Sequence, residues 1–176
     1  MDTKNTALLI IDVQKGAFLE AEPIYKGDEL LNNITFLISK ARIEHIPIFF
    51  TKHNGKTGTI NQKGNFGWEI HPSIHLLKED VIIEKDYPDS FQQTDLQKQL
   101  VNRKISRIIV AGIQSEICVD ATCRRAFSQG YEVILVEDGH STYNSNILYA
   151  SQIIHHHNNI HAHWFANVQK TEEIFL

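Results

Sequence analysis

Short apolar blocks recur along the chain, each bounded by polar residues and most followed by a stretch with helical spacing. Thr6–Asp12 is a continuous apolar run closed by a carboxylate, the mark of a strand covered on both faces. Asp28 offers an N-cap to the segment after it, where Leu30, Leu31, Ile34, Leu37, Ile38 and Ala41 recur at helical intervals. Pro47–Thr51 and Asp80–Glu84 predict the second and third strands, and Thr94–Arg103 a helix with Leu96 and Leu100 inward. Arg107–Gly112 predicts a fourth strand, and Ile117–Gln129 a helix that Gly130 closes as a C-cap. Glu132–Val136 reads as a fifth strand, Ile147–His156 as a further helix and His163–Val168 as a sixth strand. Residues 53–79 are rich in Gly and Asn and have no period; loops of that length usually serve as lids or partner contacts.

Alternation of this kind predicts an α/β fold: a three-layer αβα sandwich around a six-stranded, mostly parallel, Rossmann-like sheet. At 176 residues the chain is long enough for one domain with a sizeable core, expected to span residues 1–176. In such sheets ligands bind beyond the carboxyl ends of the strands. Asp12, Lys85 and the segment after Gly112 all follow predicted strand ends, so they are expected on one edge.

Composition narrows the function classes. With 42% hydrophobic residues, 22% charged residues and a net charge of −4, the chain has no basic surface suited to nucleic acid. Its apolar runs, such as Ala7–Ile11 and Ile46–Phe50, are strand-sized, so no membrane partner is expected. The opening MDTKNT lacks the layout of a signal peptide. Cys118 and Cys123 sit too close in sequence to frame a disulfide scaffold, which points to free thiols and a cytoplasmic location.

Gly112-Ile-Gln-Ser-Glu-Ile-Cys118 leads from a buried strand into a helix. Such a turn presents backbone N–H groups and the positive helix end, which should lower the Cys118 thiol pKa and make it a competent nucleophile. The same N–H groups suit the oxyanion of a tetrahedral intermediate. A small buried hydrophobe is the bland alternative for Cys118, and the expected one for Cys123 within the helix body. Asp12 is either a turn cap or the group that takes the thiol proton. Lys85 is either a surface lysine or a stabiliser of both the Asp12 charge and the thiolate.

These residues, in this order, resemble the isochorismatase-like cysteine hydrolases. The resemblance rests on Ile11-Asp12-Val13-Gln14, Glu84-Lys85 with Asp89-Ser90-Phe91, Gly112-Ile-Gln-Ser-Glu-Ile-Cys-Val119 with Ala121-Thr122, Gly130-Tyr131 and Val136-Glu-Asp138. It implies an Asp–Lys–Cys triad of Asp12, Lys85 and Cys118, and a cis peptide at Ile113–Gln114 that aims the Gln114 and Cys118 N–H groups at the substrate oxygen. It also implies hydrolysis of amide, carbamoyl or ureido C–N bonds through a thioester, with no cofactor. A vinyl ether hydrolase of the isochorismatase type is the enzymatic alternative, and a non-catalytic scaffold the other. Relatives are often dimers or tetramers, so a homo-oligomer is expected, with a small molecule as the other partner.

Around this centre Gln14, Phe18, His53, Trp68, Phe91 and Glu116 are the expected substrate-binding residues, and His71 is a further candidate for the pocket. Nicotinamidases of the family carry Asp-x-His after the second strand; here the stretch reads Thr51-Lys52-His53-Asn54, so no metal is expected there. Lys52-His53-Asn54-Gly55, Gly67-Trp68-Glu69-Ile70-His71-Pro72, Asp138-Gly139-His140-Ser141-Thr142 and His156-His157-Asn158 are similar to the streptothricin hydrolase subgroup. Consecutive residues such as His155, His156 and His157 point to different faces of a helix and cannot all hold one ion. Gly55-Lys56-Thr57-Gly58 lacks the upstream glycine and the strand–loop–helix setting of a phosphate loop.

Overall fold

Six strands, all parallel to their neighbours, pair in the order β3-β2-β1-β4-β5-β6 in a computed structural model that describes residues 3–175. Met1, Asp2 and Leu176, the ends of the expected domain, lie outside the described residues. The strands are β1 Thr6–Ile11, β2 Ile48–His53, β3 Val81–Lys85, β4 Arg107–Ile113, β5 Glu132–Ser141 and β6 Asn167–Gln169. The helices are α1 Gly27–Ile43, α2 Leu96–Asn102, α3 Asp120–Ser128 and α4 Ala150–Trp164. None of them is long and apolar enough to cross a membrane.

The three layers follow from the period-two alternation of the strands. Every residue of β1 is buried. Leu8 and Ile10 join Leu30, Ile34, Leu37 and Ile38 of α1 in one core, whereas Ala7, Leu9 and Ile11 join Leu96, Leu100, Cys123 and Ala126 of α2 and α3 in the other. Each such aliphatic side chain contributes roughly 1.5–3 kcal/mol on burial. Central strands apolar on both faces are what make the sheet the middle layer.

The elements depart from their sequence-based bounds at several places. α1 begins at Gly27 after a left-handed Lys26; Asp28 lies in the first turn, where its charge meets the positive helix end, rather than at the cap. The helix after β4 does not run evenly from Ile117. A wider π-helical turn, Ser115–Val119, carries Cys118 and then feeds α3. Gly130 does adopt the left-handed conformation of a C-cap, with φ at 85°. β5 continues past Val136 to Ser141 across a register shift opposite Val110 and Gly112. α4 starts at Ala150 rather than Ile147 and takes in His163 and Trp164, so β6 keeps only Asn167 and Val168 of the expected last strand and adds Gln169. Its polar run of histidines and asparagines hides a helix whose inward face is Ala150, Ile153 and His161.

Two features hold the Cys118 segment in place. Gly112 has φ at 129° and pairs with Ile11, and a Cβ there would sit 2.1 Å from the Ile11 carbonyl oxygen. Only glycine allows β4 to approach β1 so closely at this edge. The second is His140, fully enclosed in the extension of β5. Ser115 Oγ lies 2.7 Å from His140 Nδ1, and Asn158 Oδ1 lies 2.8 Å from His140 Nε2. An amide oxygen only accepts, so the ring proton is assigned to Nε2, and the Ser115 hydroxyl donates to Nδ1. The neutral ring thus ties the π turn to α4. Burial pushes its pKa down to about 4, against the ordinary 6.5, although the Asn158 contact works the other way.

Gly112→Ala should lower the unfolding free energy by about 3 kcal/mol, from left-handed strain plus collision, as read by urea unfolding. A second expectation concerns pH. The unfolded chain protonates His140 near 6.5 and the folded chain only near 4. The stability tied to the neutral ring is therefore full above 6.5 and falls as the pH drops toward 4, by up to about 3 kcal/mol. Urea unfolding across that range should show the loss, and His140→Gln should flatten the slope; an unchanged slope contradicts the assignment.

Candidate active site

The site is assembled from four adjacent strand ends. Asp12 follows β1 directly, with a left-handed backbone at φ 52° that aspartate tolerates better than most residues. Its N–H donates to Thr51 Oγ1 at 3.1 Å, and the Thr51 hydroxyl donates back to Asp12 Oδ1 at 2.5 Å. Lys85, the last residue of β3, places Nζ 2.7 Å from Asp12 Oδ2, with side-chain exposures of 0% and 8%. The ammonium also donates to the carbonyls of Tyr87 at 3.1 Å and Pro88 at 3.4 Å. His53, paired in register with Lys85, brings its Nδ1 to 3.5 Å from the same ammonium. Burial and then the Lys85 charge push the His53 pKa down, so its ring is neutral near pH 7.

Cys118 hangs from the π turn above this pair. Its sulfur, the Asp12 carboxylate and a His53 ring nitrogen lie within 4.8 Å of one another. The expected lowering of the thiol pKa does not occur. Burial pushes it up to about 12, the Asp12 charge adds to the rise, and Lys85 only partly opposes them. A thiolate would be desolvated beside a carboxylate, so the resting group is a neutral thiol within 4.8 Å of the Asp12 carboxylate. Cys123 is completely enclosed, and burial raises its thiol pKa as well.

A cavity of about 210 Å³ opens over the three side chains. Asp12, Gln14, His53, Ile113, Gln114 and Cys118 line it, and the Ile113–Gln114 peptide is cis. Gln14 spends its amide on the backbone: it donates to the His53 and Trp68 carbonyls and accepts from the His53 N–H, at 2.8–3.1 Å. It therefore ties the ends of β1 and β2 to the turn at residues 66–70.

Four other expected residues lie behind the cavity walls. Phe18 packs on the His71 ring, with centroids 4.7 Å apart. The Trp68 indole donates to Asn54 Oδ1 at 2.9 Å and carries the Lys52 ammonium over its face. Phe91 belongs to the core beside Tyr131. Glu116 Oε1 accepts from the Thr142 hydroxyl at 2.8 Å.

The sequence reading missed Thr51, Ala17, Asn61, Pro88, Ile117 and Tyr143. Thr51 was concealed as an ordinary strand residue, although its place two before His53 on β2 was available. Asn61 sits in the aperiodic 53–79 loop, where only the loop's length signalled a role. Its Oδ1 is buried in the cavity wall with no hydrogen-bond partner among the described residues.

Among the described residues two groups of side chains have the donor types and spacing for a metal: Asp12, His53 and Cys118, and separately Asp120, His157 and His161. In the first, the Lys85 ammonium already occupies the place of a cation against Asp12 and His53. Where an Asp-x-His would begin after β2, the chain has Thr51 and Lys52, and Lys52 pairs with Glu69 at 3.1 Å.

Arranged in this way, the site sets a thiol beside a carboxylate that is ion-paired to a lysine, under a cavity that can hold a small polar ligand. The isochorismatase domain family model matches residues 6–172. A streptothricin hydrolase of Streptomyces noursei is 30% identical over 138 residues, covering 78% of this chain, which spans about half (55%) of that protein's length. An uncharacterised isochorismatase family protein of Bacillus subtilis (strain 168), YddQ, is 33% identical over 140 residues, 78% of each chain. The crystal structure of an isochorismatase family protein superposes with a TM-score of 0.90 at 32% identity, covering 96% of this chain and 99% of that one. With a buried cysteine beside a carboxylate in a matching α/β frame, the chain belongs to the isochorismatase family of hydrolases.

Proposed function

We propose that this chain is a cysteine amidohydrolase acting on a small amide, carbamoyl or ureido compound, with Cys118, Asp12 and Lys85 as its triad. The observation that carries the reading is a buried thiol within 4.8 Å of a carboxylate that is itself ion-paired to a buried lysine. As Cys118 Sγ forms its bond to the substrate carbonyl carbon, its proton passes to Asp12, so no free thiolate accumulates. The carbonyl oxygen takes the negative charge and is received by the Gln114 and Cys118 N–H groups, as the family resemblance implies. Asp12 then gives the proton to the leaving nitrogen as the C–N bond breaks, releasing ammonia or an amine and leaving a thioester. Water, deprotonated by Asp12, attacks the thioester carbon; the acid departs and the proton returns to sulfur.

Lys85 supports this cycle by keeping Asp12 charged whenever Asp12 has no proton. Thr51 fixes Oδ1, which leaves the carboxylate little freedom to turn away from sulfur. The cavity is smaller than the 300–1,000 Å³ of typical drug-sized sites, which favours a small acyl portion. A relative named for hydrolysing streptothricin supports hydrolysis as the reaction class.

A screen of small amides, carbamoyl and ureido compounds for ammonia or amine release tests the proposal. Cys118→Ser and Asp12→Asn should each lower kcat by about a thousandfold or more. Rapid quenching with the best substrate should show an acyl mass on the peptide containing Cys118 and, after complete digestion, none on Cys123. Pyruvate release from a vinyl ether would overturn the amide reading, and no turnover of either class would favour a scaffold.

A further inference from the structure

α4 packs against the π turn and β5 through a face that sequence periodicity did not reveal. Because the helix runs unbroken from Ala150 to Trp164, His157 and His161 lie one turn apart on the same side. Opposite them is Asp120, the first residue of α3, two positions after Cys118. We propose that Asp120, His157 and His161 bind one divalent transition-metal ion, of the zinc type, that pins α4 to the segment carrying Cys118. This inference is independent of the reaction proposed above.

The geometry fits an ion. Asp120 Oδ1 lies 3.2 Å from His157 Nδ1 and 3.1 Å from His161 Nε2, and the three ligand atoms lie within 4.8 Å of one another. Ligands about 2.0–2.1 Å from a tetrahedral zinc sit roughly 3.3 Å apart, so little movement is needed. His161 has no exposed surface, yet neither of its ring nitrogens makes a hydrogen bond of good geometry. A buried imidazole in that condition is costly, and an ion at Nε2 supplies a partner for that nitrogen.

The surroundings suit a structural ion. Arg124 Nε reaches both Asp120 oxygens, at 3.0 and 2.9 Å. It retains Oδ2 as an outer partner once Oδ1 takes the metal. Its charge opposes the cation, which limits affinity. The Arg124 guanidinium also lies over Phe165, whose ring meets His161 edge-on. His156 packs edge-on against His157 from the outer side. The side chains of His157 and Asp120 remain 15% and 17% exposed, so an ion can enter and a water can complete a fourth position. Nitrogen and oxygen donors of this kind favour zinc, cobalt, nickel or copper over calcium or magnesium.

Chelator-stripped full-length protein titrated with Co(II) should bind one tightly held equivalent with the visible absorption of a tetrahedral site. That signal should persist in Cys118→Ser, which removes the other ligand group, and in His155→Gln/His156→Gln. It should weaken by more than about a hundredfold in His157→Ala and in Asp120→Asn. Zn(II) in excess should raise the Tm of the wild type by about 5 °C and leave that of His157→Ala unchanged. If a variant does not fold, protection of His157 from diethyl pyrocarbonate by Zn(II) in the unaltered chain, read by peptide mapping, gives the same answer. Equal binding in His157→Ala, loss of the signal in Cys118→Ser, or no protection of His157 overturns the proposal.

Discussion

The ion pair between Asp12 and Lys85 is the constraint on which the rest of this edge depends. Both groups are out of water, and the 2.7 Å contact is what makes their burial tolerable. Removing either partner would strand a charge in the core, at a cost of about 3–5 kcal/mol. The remaining polar atoms are arranged to finish the job. Thr51 serves one carboxylate oxygen, two backbone carbonyls after β3 serve the ammonium, and His53 stays uncharged beside it. A neutral thiol then follows electrostatically, because a second anion has no place next to Asp12.

Topology explains how residues distant in sequence reach one another. The order β3-β2-β1-β4 sets the ends of four consecutive strands side by side, delivering Lys85, His53, Asp12 and Ile113 in that sequence across the edge. Gly112 lets β4 close on β1, and the π turn then raises Cys118 over Asp12. Neutral His140 braces that turn from behind through Ser115 and Asn158, while Asp120 and α4 brace it from the outer side. Reactive and structural parts of the segment thus differ by only two or three residues.

Much of this was legible in the chain. The double-faced burial of β1 and β4 shows as unbroken apolar runs, and a carboxylate or lysine just past such a run stands out because burial has to be compensated. Those signals located Asp12, Lys85 and the Cys118 turn. What was not legible depended on three-dimensional neighbours. The thiol pKa was expected to fall, since a helix end is visible locally, whereas the enclosure that raises it, and then the Asp12 charge more than a hundred residues away, come only with the fold. Trp68, Phe91, Phe18 and Glu116 looked like pocket residues by chemistry, yet each finds its partners behind the cavity. Thr51 carries no signal of its own; it matters only through the Asp12 atoms it faces. The consecutive histidines of α4 point to different faces and the expected helix stopped at His156; its continuation to Trp164 sets His157 and His161 one turn apart on one face.

The central claim is that burial, with the Asp12 charge added to it, keeps Cys118 protonated until substrate arrives. The most direct measurement is a thiolate titration by ultraviolet absorbance in a Cys123→Ser background, with and without Asp12→Asn. The Cys118 thiolate should form only well above the ordinary thiol value of 9.0, and Asp12→Asn should move its formation to lower pH by removing the Asp12 charge, while burial still holds it up. A Cys118 already ionised at neutral pH, or a titration that Asp12→Asn leaves in place or moves upward, would contradict it.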